Sequence, residues 1–270
     1  LEKKMRLKSV CLAAALAVLS AGSAFAAKVT FHGNDQYRRD NGGEFQARVW
    51  SGYAGETGKA SDNVVGGRTT RGTNGNAYVS FQTFCLELDE LVDLNPGTPQ
   101  NAANQVTTTI SDTAQLGGVN TDAGDRISAQ TAYLYTQFRN GTLAGYAYND
   151  FTTADTRTAM SRRDTGRALQ LAFWVLENEL AGVPTNQGNP FGDSIENLAA
   201  SYISQANAAV AGSWGNTIGN VRVVNYLRTN GQFGQSMLTL VPLPASVWMG
   251  ISLLCAAGAA TYMRRRAMQA

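Results

Sequence analysis

The chain has 270 residues with 22 Lys plus Arg against 20 Asp plus Glu, a formal net charge of +2. Seven of the basic residues lie in the two terminal segments, and the stretch 27–240 holds 15 basic against 19 acidic residues, a net of −4. That stretch therefore has no electrostatic footprint for nucleic acid, and its length suits one substantial core or two modest ones.

In chain order, Arg6 and Lys8 precede an apolar run from Val10 to Leu19, and Ala24-Phe25-Ala26 offers small residues at a cleavage site. Residues 1–26 are thus predicted to be a signal peptide that takes Cys11 with it. From Ala27 the composition is rich in Gly, Asn, Thr and Ala with few lysines. Lys28 to Phe31, Gly43 to Trp50 and Ala77 to Leu88 read as strands, separated by a polar stretch whose Gly-Gly and Asn-Gly pairs mark turns. Asn101 to Thr109 reads as an edge segment.

The period then changes. Ser128 to Phe138 places Ala129, Ala132, Tyr133 and Tyr135 at helical spacing. Asp164 to Leu180 does so more strongly, with Leu169, Ala172, Phe173 and Leu176 on one face, Asp164 as the expected N-cap and Gly182 as the expected terminator. A third helix is predicted over Asp193 to Val210, stopped by Gly212. Strands return at Asn220 to Leu227 and Gln235 to Leu240. Strands first, helices in the middle and strands last predict a β-rich α+β fold, with a β-barrel or sandwich core and an inserted helical subdomain.

The C-terminal segment, 241–270, begins Val241-Pro242-Leu243-Pro244 and continues as an uncharged run closed by Arg264-Arg265-Arg266. As a helix, 245–263 would extend about 28 Å, enough to cross a bilayer core, with the arginines favouring a cytoplasmic end. Cys255 lies inside that run. This pattern resembles the PEP-CTERM sorting signal in its VPLPA variant, with Leu243 where a glutamate usually stands. The resemblance implies an exosortase-type protease as partner and a Gram-negative host making exopolysaccharide. It also implies an inner-membrane-anchored precursor that ends in the cell envelope or outside.

Between 27 and 240 there is one cysteine, Cys85, in Phe84-Cys85-Leu86-Glu87. In an oxidising compartment it is buried and inert, paired with another chain, or chemically committed elsewhere. Gln170 poses the complementary question, because it lies on the apolar face of Ala168-Leu169-Gln170-Leu171-Ala172-Phe173-Trp174, where a carboxamide is costly unless satisfied. Attack of the Cys85 thiolate on the Gln170 amide, with loss of ammonia, gives an internal thioester that accounts for both. The pair of motifs resembles the thioester domains of bacterial surface proteins: Gln170, Ala172 and Trp174 match their Thr-Gln-x-Ala-x-Trp helix, with Leu169 in place of the threonine. That resemblance implies a β-barrel-like core with a helical subdomain and single-use covalent attachment to a partner. Glu87 and Asp89, alternating with Leu86 and Leu88, would share the Cys85 face of a regular strand, and Trp174 would cover the site one turn from Gln170. Gln130 is a weaker acceptor, lacking an aromatic at the right spacing.

Other chemistry is poorly supported. His32 is the sole histidine and is read as a loop residue, which leaves a His-based triad or zinc site without ligands. Glu87, Asp89, Glu90 and Asp93 lack the register of a calcium loop. No cofactor is expected. The chain reads as a non-enzymatic adhesion or matrix-attachment protein whose thioester bonds to an amine or hydroxyl on a surface protein or exopolysaccharide. A non-covalent, self-associating matrix protein, homo-oligomeric in that event, is the alternative, and a carbohydrate-acting hydrolase comes third.

Overall fold

The structure, a computed structural model, describes residues 27–39, 42–51, 68–71, 77–88, 90, 92, 106–115, 124–148, 160–184, 194–227 and 231–241. Seven strands, β1 (Ala27–Arg39), β2 (Gly42–Ser51), β3 (Arg68–Arg71), β4 (Ala77–Thr83), β5 (Val106–Ser111), β6 (Val221–Tyr226) and β7 (Met237–Leu240), form one antiparallel sheet in the order β3-β4-β2-β1-β5-β6-β7. Among the described residues three helices, α1 (Ala129–Arg139), α2 (Arg162–Leu176) and α3 (Ser194–Ala211), fall between β5 and β6 in the chain.

The fold is mixed α+β with an open sheet, which corrects the expected closed barrel or sandwich. β3 and β7 end the ladder, and among the described residues the end of β4 meets β7 through an isolated bridge, Cys85 opposite Met237, and not through a paired ladder. The bridge is flanked by Leu86 N–H donating to Ser236 O at 2.9 Å and Leu238 N–H donating to Phe84 O at 3.2 Å. β4 therefore stops at Thr83, short of the Leu88 expected from the sequence. β5 is not an edge but sits between β1 and β6, and β3 was not foreseen. Gly234, ahead of β7, is dictated by packing, since a Cβ there would run into the Tyr226 ring.

Helix positions agree with the sequence pattern, and their ends differ for identifiable reasons. α2 starts a turn earlier than expected because Ser161 is its N-cap and Asp164 occupies the third position of a capping box, each side chain bonding the other's backbone N–H. It ends at Leu176 rather than near Leu180. Asn178 takes a left-handed conformation (φ 63), while Glu179 N–H donates to Trp174 O at 2.7 Å and Asn178 N–H to Val175 O at 3.3 Å. This is a Schellman closure built on asparagine, one of the few side chains that tolerate it, and it leaves Gly182 with no capping role.

α2 is buried along almost its whole length, Leu169, Ala172, Phe173 and Trp174 included, because it packs against the sheet on one side and α3 on another. Its first residue is tied to the sheet by a buried ion pair. Arg162 donates from Nε to Glu44 Oε1 at 2.7 Å and from Nη2 to Glu44 Oε2 at 2.8 Å, with Glu44 on β2. The Tyr146 hydroxyl also donates to Glu44, and Arg162 Nη1 reaches Tyr148 O at 3.1 Å.

Among the described residues no helix is long and apolar enough to cross a membrane. The three helices carry polar and charged positions on their outer faces, as Asn197, Ser201 and Ser204 do on α3. For the described residues, the expected transmembrane helix, the membrane contact through it and the inner-membrane-anchored precursor stage are corrected on that finding. The span 245–263 itself, with Pro242, Leu243, Pro244, Arg264, Arg265 and Arg266, lies outside the described residues, as does 1–26. Val241, the first residue of the expected sorting signal, simply closes the sheet, donating to Asn220 O at 2.9 Å.

Because the Arg162 side chain is buried beside Glu44, Glu44→Gln leaves a cation in the core without its counter-charge. It is expected to cost about 3–5 kcal/mol of unfolding free energy, read by urea denaturation.

Candidate functional site

The site lies where the chain leaves β4. Phe84 is fully buried, with its ring edge-on to Phe138 of α1 at 5.0 Å and to Phe173 of α2 at 5.3 Å. This aromatic wedge fixes the next residue, Cys85, a buried reduced cysteine, against the middle of α2.

Opposite it is Gln170, fully buried. Its carboxamide is satisfied by Cys85 itself: Cys85 N–H donates to Gln170 Oε1 at 3.1 Å, and Gln170 Nε2 donates to Cys85 O at 2.8 Å. The two residues are 85 positions apart in the chain, and folding brings them together. One side-chain amide thus mimics a neighbouring strand, pairing both backbone groups of a single residue. Its carbonyl carbon is held beside the residue that carries the thiol.

Below this contact the same segment is clamped to the end of α2. Trp174 Nε1 donates to Glu87 O at 3.3 Å, and Gln235 Nε2 donates to the same oxygen at 2.7 Å. Leu88 N–H donates to Glu179 Oε2 at 3.2 Å, and the Glu87 and Glu179 carboxyl groups hydrogen-bond each other. Trp174 is buried and Arg167 lies over its ring at 5.5 Å. The expected strand alternation fails: Leu86 and Glu87 are both buried and Leu88 is exposed, because the chain after Cys85 no longer runs as a strand. Asp89 lies outside the described residues. Gln130 bonds Asn207 at an exposed position, well apart in kind from the buried Gln170. His32 is on β1, opposite Gln46 in the ladder, and not in a loop.

Several residues of the site were missed by the sequence reading. Glu179 and Glu177 flank Asn178, and Glu177 accepts from Ser128 N–H at 3.2 Å and Ser128 Oγ at 2.7 Å, so it ties the end of α2 to the start of α1. Two carboxylates at a helix C-terminus oppose the helix dipole, and that violation was the available signal. Glu90 accepts from Ser236 N–H at 3.0 Å. The Glu87 carboxyl is pushed up to about 9, first by burial and then by the nearby charges of Glu179, Glu90 and Asp125. Burial likewise raises Glu177, against the opposing effect of its hydrogen bonds to Thr131 and Ser128. Among the described residues no group of three or more His, Cys, Asp and Glu side chains is placed to hold a metal ion.

No family model, no curated protein and no solved structure matches the chain. The resemblances to PEP-CTERM sorted proteins and to thioester domains are corrected on that finding, on the open sheet and on the lack of a membrane-crossing helix among the described residues.

A carboxyl raised on folding favours the protonated native state, so its stabilising term is complete below the ordinary value of 4.5 and is lost as pH rises toward about 9. Across that window the wild-type chain is expected to lose more stability with rising pH than Glu87→Gln does. Denaturant midpoints of both proteins, measured at a series of pH values, check the difference.

Proposed function

We propose that Cys85 and Gln170 form an internal thioester and that the protein uses it once, for covalent attachment to an amine or hydroxyl group of a partner. The observation that carries this reading is the two-point closure of the Gln170 amide on the backbone of Cys85. Both residues are buried, and the closure holds the backbone of the thiol-bearing residue against the carboxamide that the thiol would attack.

The chemistry balances without a cofactor. The sulfur–carbon bond forms, the carbon–nitrogen bond of the amide breaks, and the thiol proton leaves with the amide nitrogen as ammonia. A thioester is less stable than an amide, so the reaction needs a favourable contribution from its surroundings. Fixed proximity is worth up to about 7–11 kcal/mol of barrier, and escape of ammonia from a dry site opposes reversal. The Cys85 N–H, already directed at Oε1, is aligned to stabilise negative charge on that oxygen as the tetrahedral adduct develops. A later nucleophile reverses the roles: its nitrogen or oxygen bonds to the carbonyl carbon and the Cys85 thiol is released.

Such a bond is consumed in use, so the protein acts stoichiometrically and not as an enzyme. Adhesion or attachment to a surface or matrix is the use that a permanent single bond serves. A carbohydrate-acting hydrolase fits this site less well. Its two carboxyl groups would need to stand about 5 Å or more apart to flank a sugar bond, whereas Glu87 and Glu179 touch.

Intact mass of the purified full chain tests the reading. The expected result is a mass short by one ammonia, with methylamine adding one equivalent, and neither effect in Cys85→Ala or Gln170→Ala. A full sequence mass with no methylamine uptake contradicts it and leaves non-covalent association as the better account.

A further inference from the structure

On the basis of the thioester reading, we infer that Glu87 and Glu179 are positioning residues for the Cys85–Gln170 reaction: sharing one proton, they hold the segment Cys85–Leu88 against the end of α2.

Geometry supplies the reason. The segment after Cys85 belongs to no strand, and the backbone bond that carries on from the Cys85–Met237 bridge is Leu86 N–H to Ser236 O at 2.9 Å. Beyond Leu86 it is held by side chains of α2, of the turn that follows α2 and of the loop before β7. They form a series down the helix: Gln170 to the Cys85 backbone, Trp174 to Glu87 O, then Glu179 past the Schellman turn to Leu88 N–H. Gln235 holds Glu87 O from the opposite side. The carboxyl–carboxyl contact closes this series, and two carboxyl groups can hydrogen-bond only when one carries a proton. With Glu87 as the acid, its O–H donates to the Glu179 carboxylate, which also accepts from Leu88 N–H.

The surroundings keep the proton in place. The charged groups acting on Glu87 are carboxylates from three directions: Glu179 beyond α2, Glu90 further along its own segment, and Asp125 ahead of α1. The neighbouring polar groups that face it, Trp174 and Gln235, are neutral and bond its backbone oxygen. Loss of the shared proton sets two adjacent carboxylates against each other with Glu90 and Asp125 adding to the repulsion. The segment carrying Cys85 then separates from α2 and the thiol moves away from the amide carbon.

The test combines two readouts on the full chain. Infrared spectra at neutral pH are expected to contain a protonated-carboxyl C=O band that disappears with a midpoint near 9 and is missing from Glu87→Gln. Second, wild type and Glu87→Gln are unfolded, refolded at a series of pH values and weighed for loss of ammonia. The wild type is expected to lose its ability to form the bond as pH rises through about 9. Glu87→Gln, whose amide still donates to Glu179 but cannot ionise, is expected to keep it, whereas Glu87→Ala forms the bond several-fold less at every pH. A chain that loses ammonia with the same pH profile in wild type and Glu87→Gln, or that has no such band, overturns the positioning role alone. Full sequence mass in every protein at every pH overturns the thioester reading and the role with it.

Discussion

The rest of the structure depends on one hydrogen-bonded contact: the Gln170 carboxamide pairing with both backbone groups of Cys85. A buried amide on an apolar helix face would cost several kcal/mol if left unsatisfied. Here the cost is met by a backbone that has itself just left its strand and needs partners. Each side resolves the other's deficit, and the contact is therefore specific in register. A shift of α2 by one residue would bring Leu169 or Leu171 to Cys85, and neither can bond a backbone amide.

That register is held from both ends of the helix. At the start, the Arg162 guanidinium grips the Glu44 carboxylate across 118 residues of chain and fixes α2 to β2. At the finish, the left-handed Asn178 turns the chain so that Glu177 reaches Ser128 while Glu179 reaches Leu88. Between them the Phe84 ring, wedged between Phe138 and Phe173, sets the distance from the segment to the helix. The Cys85–Gln170 contact is thus positioned by charge at one end, backbone geometry at the other and close packing in the middle. The acidic pair Glu87 and Glu179 is a cost in this scheme, since the stability that the raised Glu87 carboxyl contributes when protonated is lost as pH rises.

Much of this was legible in the sequence where local pattern governs. The 3.6-residue period located all three helices, and the mismatch between Gln170 and its apolar neighbours singled out the residue that meets Cys85. Less was legible where the deciding partner is distant or where a local rule is broken. Glu44 and Arg162 look like ordinary surface residues until folding brings them together. Gly182 is a better terminator than Asn178 by intrinsic preference, yet the helix ends at Asn178 because tertiary bonds to Glu177 and Glu179 favour the turn there. The alternation through Leu86, Glu87 and Leu88 suggested a strand, but the bridge to Met237 ends pairing at Cys85 and turns Glu87 inward. The expected barrel failed for a related reason: among the described residues an isolated bridge links the end of β4 to β7, where closure needs a ladder.

The most direct test of the central claim is a crystal structure of the full chain at a resolution that separates bonded from non-bonded atoms at this site. The account predicts continuous density between Cys85 Sγ and Gln170 Cδ, with the nitrogen Nε2 gone. An intact Gln170 amide still donating to Cys85 O beside an unmodified thiol would contradict it.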